Sequence, residues 1–163
     1  MSWSSSVPAA LAGLLATFQA SPGLGAATPP VPVRDGHVVT GSQASTVVVV
    51  GWTGKDGDDT AVENTATTEG LAGNPDRERF QIRCAAMALN GGGSAGSGDL
   101  PAARTAAYAL HAACGAAVAA DRKLGGAVTR ASMGDHVLHQ DATQRGQRAI
   151  VEFMVQVDAY TGR

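Results

Sequence analysis

Residues 51–59 contain the side-chain types that bind phosphate or cations. The segment reads GWTGKDGDD, with two residues between Gly51 and the Gly54–Lys55 pair. A phosphate-binding loop of the Walker type needs four residues between its glycines and a Ser or Thr after the lysine, where this chain has Asp56. No helix is predicted to follow and to hold a phosphate at its N-terminus. The segment therefore indicates a polar turn and not a nucleotide site.

The aspartates of the same segment, Asp56, Asp58 and Asp59, are oxygen ligands of the kind that hard cations prefer. An EF-hand loop, however, needs a ligand at every second position and a distant bidentate glutamate in a fixed register. Glu63 is the only candidate, and it does not complete that pattern. Solvated turn residues are the simpler interpretation. A small metal-dependent enzyme that uses the acidic loop 56–63 remains an alternative.

The other reactive side chains form no recognisable catalytic set. His136 and His139 are three residues apart on a predicted strand, which places them on opposite faces. His111 is predicted on the exposed side of a helix. Cys84 and Cys114 lie in apolar patterns and are predicted to be buried small side chains. No serine stands in a Gly-x-Ser-x-Gly turn. The sequence therefore assigns no catalytic residue, no cofactor and no metal ligand, and it predicts a non-enzyme.

Composition limits the classes of protein to which this chain can belong. The chain has 163 residues, 44% hydrophobic and 16% charged, with a net charge of −2. This predicts one globular domain over residues 1–163 that does not hold nucleic acid through a basic surface. No run approaches the roughly 20 apolar residues of a membrane span, so no membrane partner is expected.

The elements that position these residues follow from apolar spacing. A stripe from Val7 to Phe18 predicts one helix, and Asp99 with Pro101 in the first turn begins a second. Strands are predicted at about 45–53, 76–90, 127–133, 136–143 and 148–160, with a hairpin at Asp35–Gly36. Long flexible loops are expected at about 54–76, with one short strand near 60–67, and at 91–98. The predicted fold is α+β, with an antiparallel, at most mixed, sheet and two helices on one face.

Two strands carry unusual faces. The valine run is apolar on both sides, which predicts cover from its own domain or from a neighbouring chain. The last strand has a clean apolar face and a mixed face with Ile150 and Met154. These features suit a subunit of an assembly, and a monomer whose own elements cover every apolar face is the alternative.

The chain resembles the tail terminator proteins of long-tailed phages with non-contractile tails, especially those of phages that infect actinobacteria. The resemblance covers nearly the whole chain. It is carried by the N-terminal amphipathic helix and by the segments TGSQASTVVVVGWTG, GNPDRERFQIRCAAMALNG, AARTAAYALHAA and VTRASMGDHVLHQDATQRGQRAIVEFMVQVDAYTGR.

The resemblance implies a structural virion protein, assembled in the host cytoplasm. It would form a ring, typically of six subunits, at the head-proximal end of the tail tube. There it would end tube polymerisation and contact the tail tube protein and the neck, or head–tail connector, protein, while DNA passes through the ring. Another phage neck or tail-tube component is the alternative within the same class. The family has no catalytic residues to transfer.

Seven residues are predicted to contact neighbouring subunits or partners. Three lie in or beside the loop after the valine strand, two near the tip of the last hairpin and two on the mixed face of the last strand: Trp52, Lys55, Asp56, Arg145, Arg148, Ile150 and Met154.

Overall fold

The computed structural model describes residues 4–36, 44–54, 59–71, 74–91 and 98–161. It is an α+β fold with a mostly antiparallel, mixed sheet and two substantial helices, as the sequence predicts. In chain order the elements are α1 (Val7–Gln19), α2 (Pro22–Gly25), β1 (Val33–Asp35), β2 (Thr46–Val50), β3 (Val62–Thr68), β4 (Arg77–Asn90), α3 (Leu100–Ala120), a short 3-10 helix (Leu124–Gly126), β5 (Arg130–Thr143) and β6 (Gly146–Tyr160).

The two long helices begin where the sequence places them. The side chain of Asp99 accepts a hydrogen bond from the amide of Ala102 at 3.3 Å, which caps α3 in the expected way. In α1 the Ser5 hydroxyl accepts from the amide of Val7 at 3.2 Å. Both helices have a proline at the first or second helical position, where its missing N–H removes no helical hydrogen bond.

The sheet follows the order β1-β2-β4-β6-β5, and β3 also pairs with β4. The central pair, β4 and β6, is antiparallel and runs in register from Arg77↔Tyr160 to Asn90↔Gln147. β2 and β3 share one edge of β4: β2 pairs with its second half and β3 with its first half. Where β2 and β3 separate, the backbone of Arg83 bonds to the residues that follow β2 and precede β3. Its carbonyl oxygen accepts from the amide of Trp52, and its amide donates to Ala61 O. The loop between β2 and β3 therefore leaves and rejoins the sheet at one residue of β4.

One core holds the helices against the sheet. Leu14 and Phe18 of α1, Ala107 and Cys114 of α3, and Phe153 of β6 are all buried in it. The Phe18 and Phe153 rings lie 6.4 Å apart. Both helices thus cover the same face of the sheet, as predicted. Cys84 and Cys114 are buried free thiols, and burial raises the pKa of Cys114 to about 12.

One prediction of chain course is wrong. The predicted strands 127–133 and 136–143 are one strand, β5, with a register shift between Met133 and His136. A bulge at Gly134 and Asp135 bends the strand without ending it. The predicted hairpin at Asp35–Gly36 would pair β1 with residues 37–39 and stays a prediction, while β1 itself pairs in parallel with β2. Residues 37–43 lie outside the described part of the chain.

The predicted loop 54–76 is interrupted by β3, a seven-residue strand close to the short strand that the sequence suggests. Most of the predicted loop 91–98 lies outside the described residues.

Candidate functional site: the outer face of the sheet

The face of the sheet that carries no helix, here called the outer face, is the main candidate for function. Residues of β4 and β6 alternate between the faces, as the sequence predicts. Phe80, Ile82, Val151 and Val155 point into the helix-covered core. The outer residues of β4 and β6 are Arg77, Arg79, Gln81, Arg83, Ala85, Met87, Leu89, Arg148, Ile150, Glu152, Met154, Gln156, Asp158 and Tyr160.

Ion pairs cross the strands of the outer face at both ends. Arg77 pairs with Asp158 through two hydrogen bonds, and the Arg77 bond lowers the pKa of the Asp158 carboxyl. At the hairpin end, Arg148 donates to Asp141 at 2.8 and 2.5 Å. Positive and negative groups therefore largely neutralise each other across this surface.

A third set of polar contacts crosses four strands at the centre. Arg83 of β4 lies 3.2 Å from Glu63 of β3 and 3.4 Å from Glu152 of β6. The other oxygen of Glu152 lies 3.3 Å from Nε2 of His139 on β5. The Arg83 side chain is only 10% exposed, whereas Glu63 and His139 at the two ends are about half exposed, so the network links β3, β4, β6 and β5 through one buried arginine. Sequence spacing does not reveal it, since the four residues come from distant segments.

A small apolar cluster lies beside these charges. It consists of Val47, Val49, Trp52, Ala85, Met87 and Ile150. Val49 is 0% exposed and Val47 is 8% exposed within the single chain. The valine strand is thus buried on both faces as predicted, and its own chain supplies the cover without a neighbouring subunit.

The predicted contact residues differ in how far the structure exposes them. Trp52 and Ile150 are 7% and 3% exposed, so most of their surface is already buried in the apolar cluster. Met154 is half-buried on the outer face, and Arg145 is exposed at the hairpin tip. Their roles as contact residues stay predictions. Arg148 also lies on the outer face, bound to Asp141. Lys55 and Asp56 lie outside the described residues.

The free edge of β5 is a second feature of this surface. β5 is 14 residues long and pairs with β6 on one side. Within the described ranges, no strand pairs with its other side. An edge of this length presents a row of backbone donors and acceptors that can pair with another chain. Most β5 side chains beyond the bulge are exposed or half-buried.

On the helix-covered side, the structure corrects the prediction for His111. Its ring does not point to solvent but packs 5.0 Å from the Phe153 ring and 5.0 Å from that of His136, with Tyr108 at 6.2 Å. Its buried Nε2 has no hydrogen-bond partner among the described residues. Burial, and to a lesser extent His136, lower the pKa of His111. His136 and His139 do lie on opposite faces, as predicted.

The lowered pKa of His111 has a definite consequence for stability. The His111 imidazole binds a proton less readily in the folded chain than in the unfolded chain, so the folded state is more stable when the imidazole is neutral than when it is protonated. This contribution is complete above the unfolded pKa of about 6.5. It is lost as the pH falls from there through the folded pKa.

The sequence analysis missed a buried carboxyl group, that of Glu78. Its side chain is 1% exposed. One oxygen accepts from the Ser6 amide at 2.7 Å and from the Ser6 hydroxyl at 2.5 Å. Glu78 shares the even-numbered register of Phe80 and Ile82 on β4, which was the available signal that it faces the core. It ties the start of α1 to the first residues of β4.

The described residues contain no group of three or more His, Cys, Asp or Glu side chains that could hold a metal ion. Asp56 and Asp58 of the acidic segment lie outside them. None of the described helices is long and apolar enough to cross a membrane.

Comparison with known proteins assigns no family. No protein-family model matches the chain, and no curated protein matches it either. Any functional assignment must therefore come from the residues, the fold and the resemblance described above.

Proposed function

We propose that this chain is a tail-terminator-like structural subunit of a phage with a long non-contractile tail. Copies of it form a ring, six in the typical case, at the head-proximal end of the tail tube. The ring ends tube polymerisation and contacts the tube protein and the neck protein. The chain acts by shape and association, without a catalytic centre.

The observation that carries self-association is the edge of β5. Its 14 residues are long for an edge strand, and within the described part of the chain no strand pairs with the side away from β6, where the amide of Ala131 at the start of β5 donates to Arg122 O. The resemblance, which spans nearly the whole chain, supports a tail terminator as the assembly that the associated copies form. The α+β fold with helices on one face of the sheet is compatible with it.

The balanced charges of the chain suit a ring through which DNA passes. A strongly basic lumen would retain DNA, whereas here arginines are paired with carboxylates across the strands. The net charge of −2 agrees with this requirement.

The test begins with native mass spectrometry of the purified chain, where a closed ring is expected. Met154→Asp, on the outer face, is expected to disperse the ring and to leave the circular dichroism spectrum unchanged. Thr105→Asp, an exposed position on α3, is the control that should leave the ring intact. Ile150 is unsuitable for this test, because at 3% exposure an aspartate there would disrupt the fold itself.

Electron microscopy of virions with a labelled chain then tests the position. Density at the junction of tail tube and neck is expected. Density along the tube, or within the neck alone, would favour another tube or neck component. A chain that stays monomeric and binds divalent metal would refute the proposal.

A further inference from the structure

Two imidazole rings meet between α3 and β5 on the helix-covered side of the sheet. The centroid of the His111 ring, on α3, lies 5.0 Å from that of the His136 ring, on β5, and the ring planes are inclined by 43°. His111 is half-buried, whereas His136 is exposed. The pair therefore lies at the edge of the core, in contact with solvent.

One nitrogen of this pair is buried without a partner. Nε2 of His111 has no hydrogen-bond partner among the described residues. Nearly all buried polar groups in folded proteins are satisfied, and an exception is explained by a bound water, an ion or a functional role. A buried water needs about three polar partners of its own, whereas the rings in contact with His111 are those of Phe153, Tyr108 and His136. These surroundings favour an ion that imidazole nitrogens bind.

The separation of the two rings matches that of imidazoles that share a tetrahedral metal ion. Zinc lies roughly 2.0–2.1 Å from a histidine nitrogen, and the nitrogen lies about 1.2 Å from the centre of its ring, so two rings on one tetrahedral ion have centroids about 5.2 Å apart. The 5.0 Å between His111 and His136 agrees with this value. Aromatic packing alone allows a similar distance, so the unpartnered Nε2 is the observation that distinguishes a ligand pair from packed rings.

Neighbouring aromatic rings restrict the orientation of both imidazoles. Tyr108 packs edge-on against each of them, 6.2 Å from the His111 centroid and 5.7 Å from the His136 centroid. Phe153 lies 5.0 Å from His111 on the side of the core. Because these contacts limit the rotation of the rings before any ion binds, they lower the entropy cost of binding.

We propose that His111 and His136 together bind one divalent transition-metal ion, Zn²⁺ or Cu²⁺, with water at the remaining positions. Imidazole nitrogen suits both metals, and Cu²⁺ is expected to bind more tightly. The bound ion ties α3 to β5 just beyond the bulge at Gly134 and Asp135. This site goes beyond the proposed function and does not depend on ring formation.

Isothermal titration of the untagged chain with ZnCl₂ tests the site, and one ion per chain is expected. His136→Gln removes one ligand at an exposed position and should weaken binding by at least roughly tenfold. His139→Gln is the matched control, because His139 is also exposed on β5 but lies on the outer face beside Glu152. This control should bind Zn²⁺ as the unaltered chain does.

Electron paramagnetic resonance with Cu²⁺ in place of Zn²⁺ counts the nitrogen ligands. Two are expected in the unaltered chain and one in His136→Gln. The native thiols, Cys84 and Cys114, are both 0% exposed, and their raised pKa values suppress the thiolate that would compete for the metal. His111→Gln, with its fold checked by circular dichroism, should also lose one nitrogen ligand.

Each outcome decides for or against the site. Binding that His136→Gln weakens and His139→Gln does not, with two nitrogen ligands, supports it. The absence of Zn²⁺ and Cu²⁺ binding overturns it. Equal affinity in the unaltered chain and His136→Gln places the ion elsewhere and also overturns it, as do equal losses in the two variants, which indicate nonspecific binding to surface histidines. Native mass spectrometry of the metal-free chain reports on the ring separately, so the failure of this site leaves the proposed function standing.

Discussion

Replacing Glu78 tests whether the first helix depends on one buried carboxylate. In the folded chain its oxygen receives both the amide and the hydroxyl of Ser6, which is itself 7% exposed. A hydrogen bond to a charged group contributes roughly 1.5–3 kcal/mol, and a buried donor left without a partner costs about 1–3 kcal/mol. Glu78→Ala removes the acceptor and leaves both donors unpaired. We expect a loss of roughly 3 kcal/mol in the free energy of unfolding, against a total of about 5–15 kcal/mol.

The assay is urea unfolding in the Met154→Asp background, in which the chain is expected to be monomeric, followed by circular dichroism. Glu78→Gln keeps a carbonyl oxygen in place, so a smaller loss of about 1 kcal/mol is expected. Glu63→Ala is the control: this glutamate lies on the outer face, is 49% exposed and pairs with Arg83. Its loss should stay below about 1 kcal/mol.

A double-mutant cycle separates the contact from other effects of the substitutions. Ser6→Ala combined with Glu78→Ala should give a coupling energy of about 1 kcal/mol, because each substitution alone removes the hydrogen bond between the Ser6 hydroxyl and the Glu78 carboxyl. If Glu78→Ala costs no more than Glu63→Ala, or if the two losses simply add, then this carboxylate does not anchor α1.

Two further predictions concern a histidine and a glycine. The free energy of unfolding should fall as the pH drops from about 7 to 5, and His111→Phe should remove part of that fall, because the variant has no imidazole that must stay unprotonated in the folded chain. Parallel urea titrations of both proteins at three pH values check this. An equal fall in the free energy of unfolding with pH for the two proteins would contradict it. Gly146→Ala places a Cβ 2.3 Å from Gly91 Cα at a positive φ, so we expect a loss of roughly 3 kcal/mol. Gly36→Ala has a positive φ but open space and should cost only about 1 kcal/mol; equal losses for the two would show that close packing at the hairpin end does not matter.

The sequence predicted those elements whose signals are local. The cap at Asp99 and the alternation from Phe80 onwards each depend on neighbouring residues, and both are confirmed. The parallel pairing of β1 with β2 was missed because a two-residue turn signal does not identify the strand that follows. The continuity of β5 was missed because its bulge reverses the alternation of faces, which makes one strand look like two.

The candidate site was less predictable for the same reason. Met154 was correctly placed on the outer face, but the burial of Ile150 and Trp52 depends on side chains from β2 and β4 that only folding brings together. The network around Arg83 and the unpartnered Nε2 of His111 likewise involve residues far apart in the chain.

Taken alone, the sequence determined the helices, the period of the strands, the weak net charge and the absence of a recognised catalytic motif. Each of these depends only on composition or on the spacing of residues close together in the chain. Tertiary structure decided which strands are neighbours, which edge stays open, and which charges neutralise one another. The physical reason is that pairing and burial depend on contacts between distant segments, whose geometry exists only once the sheet has formed.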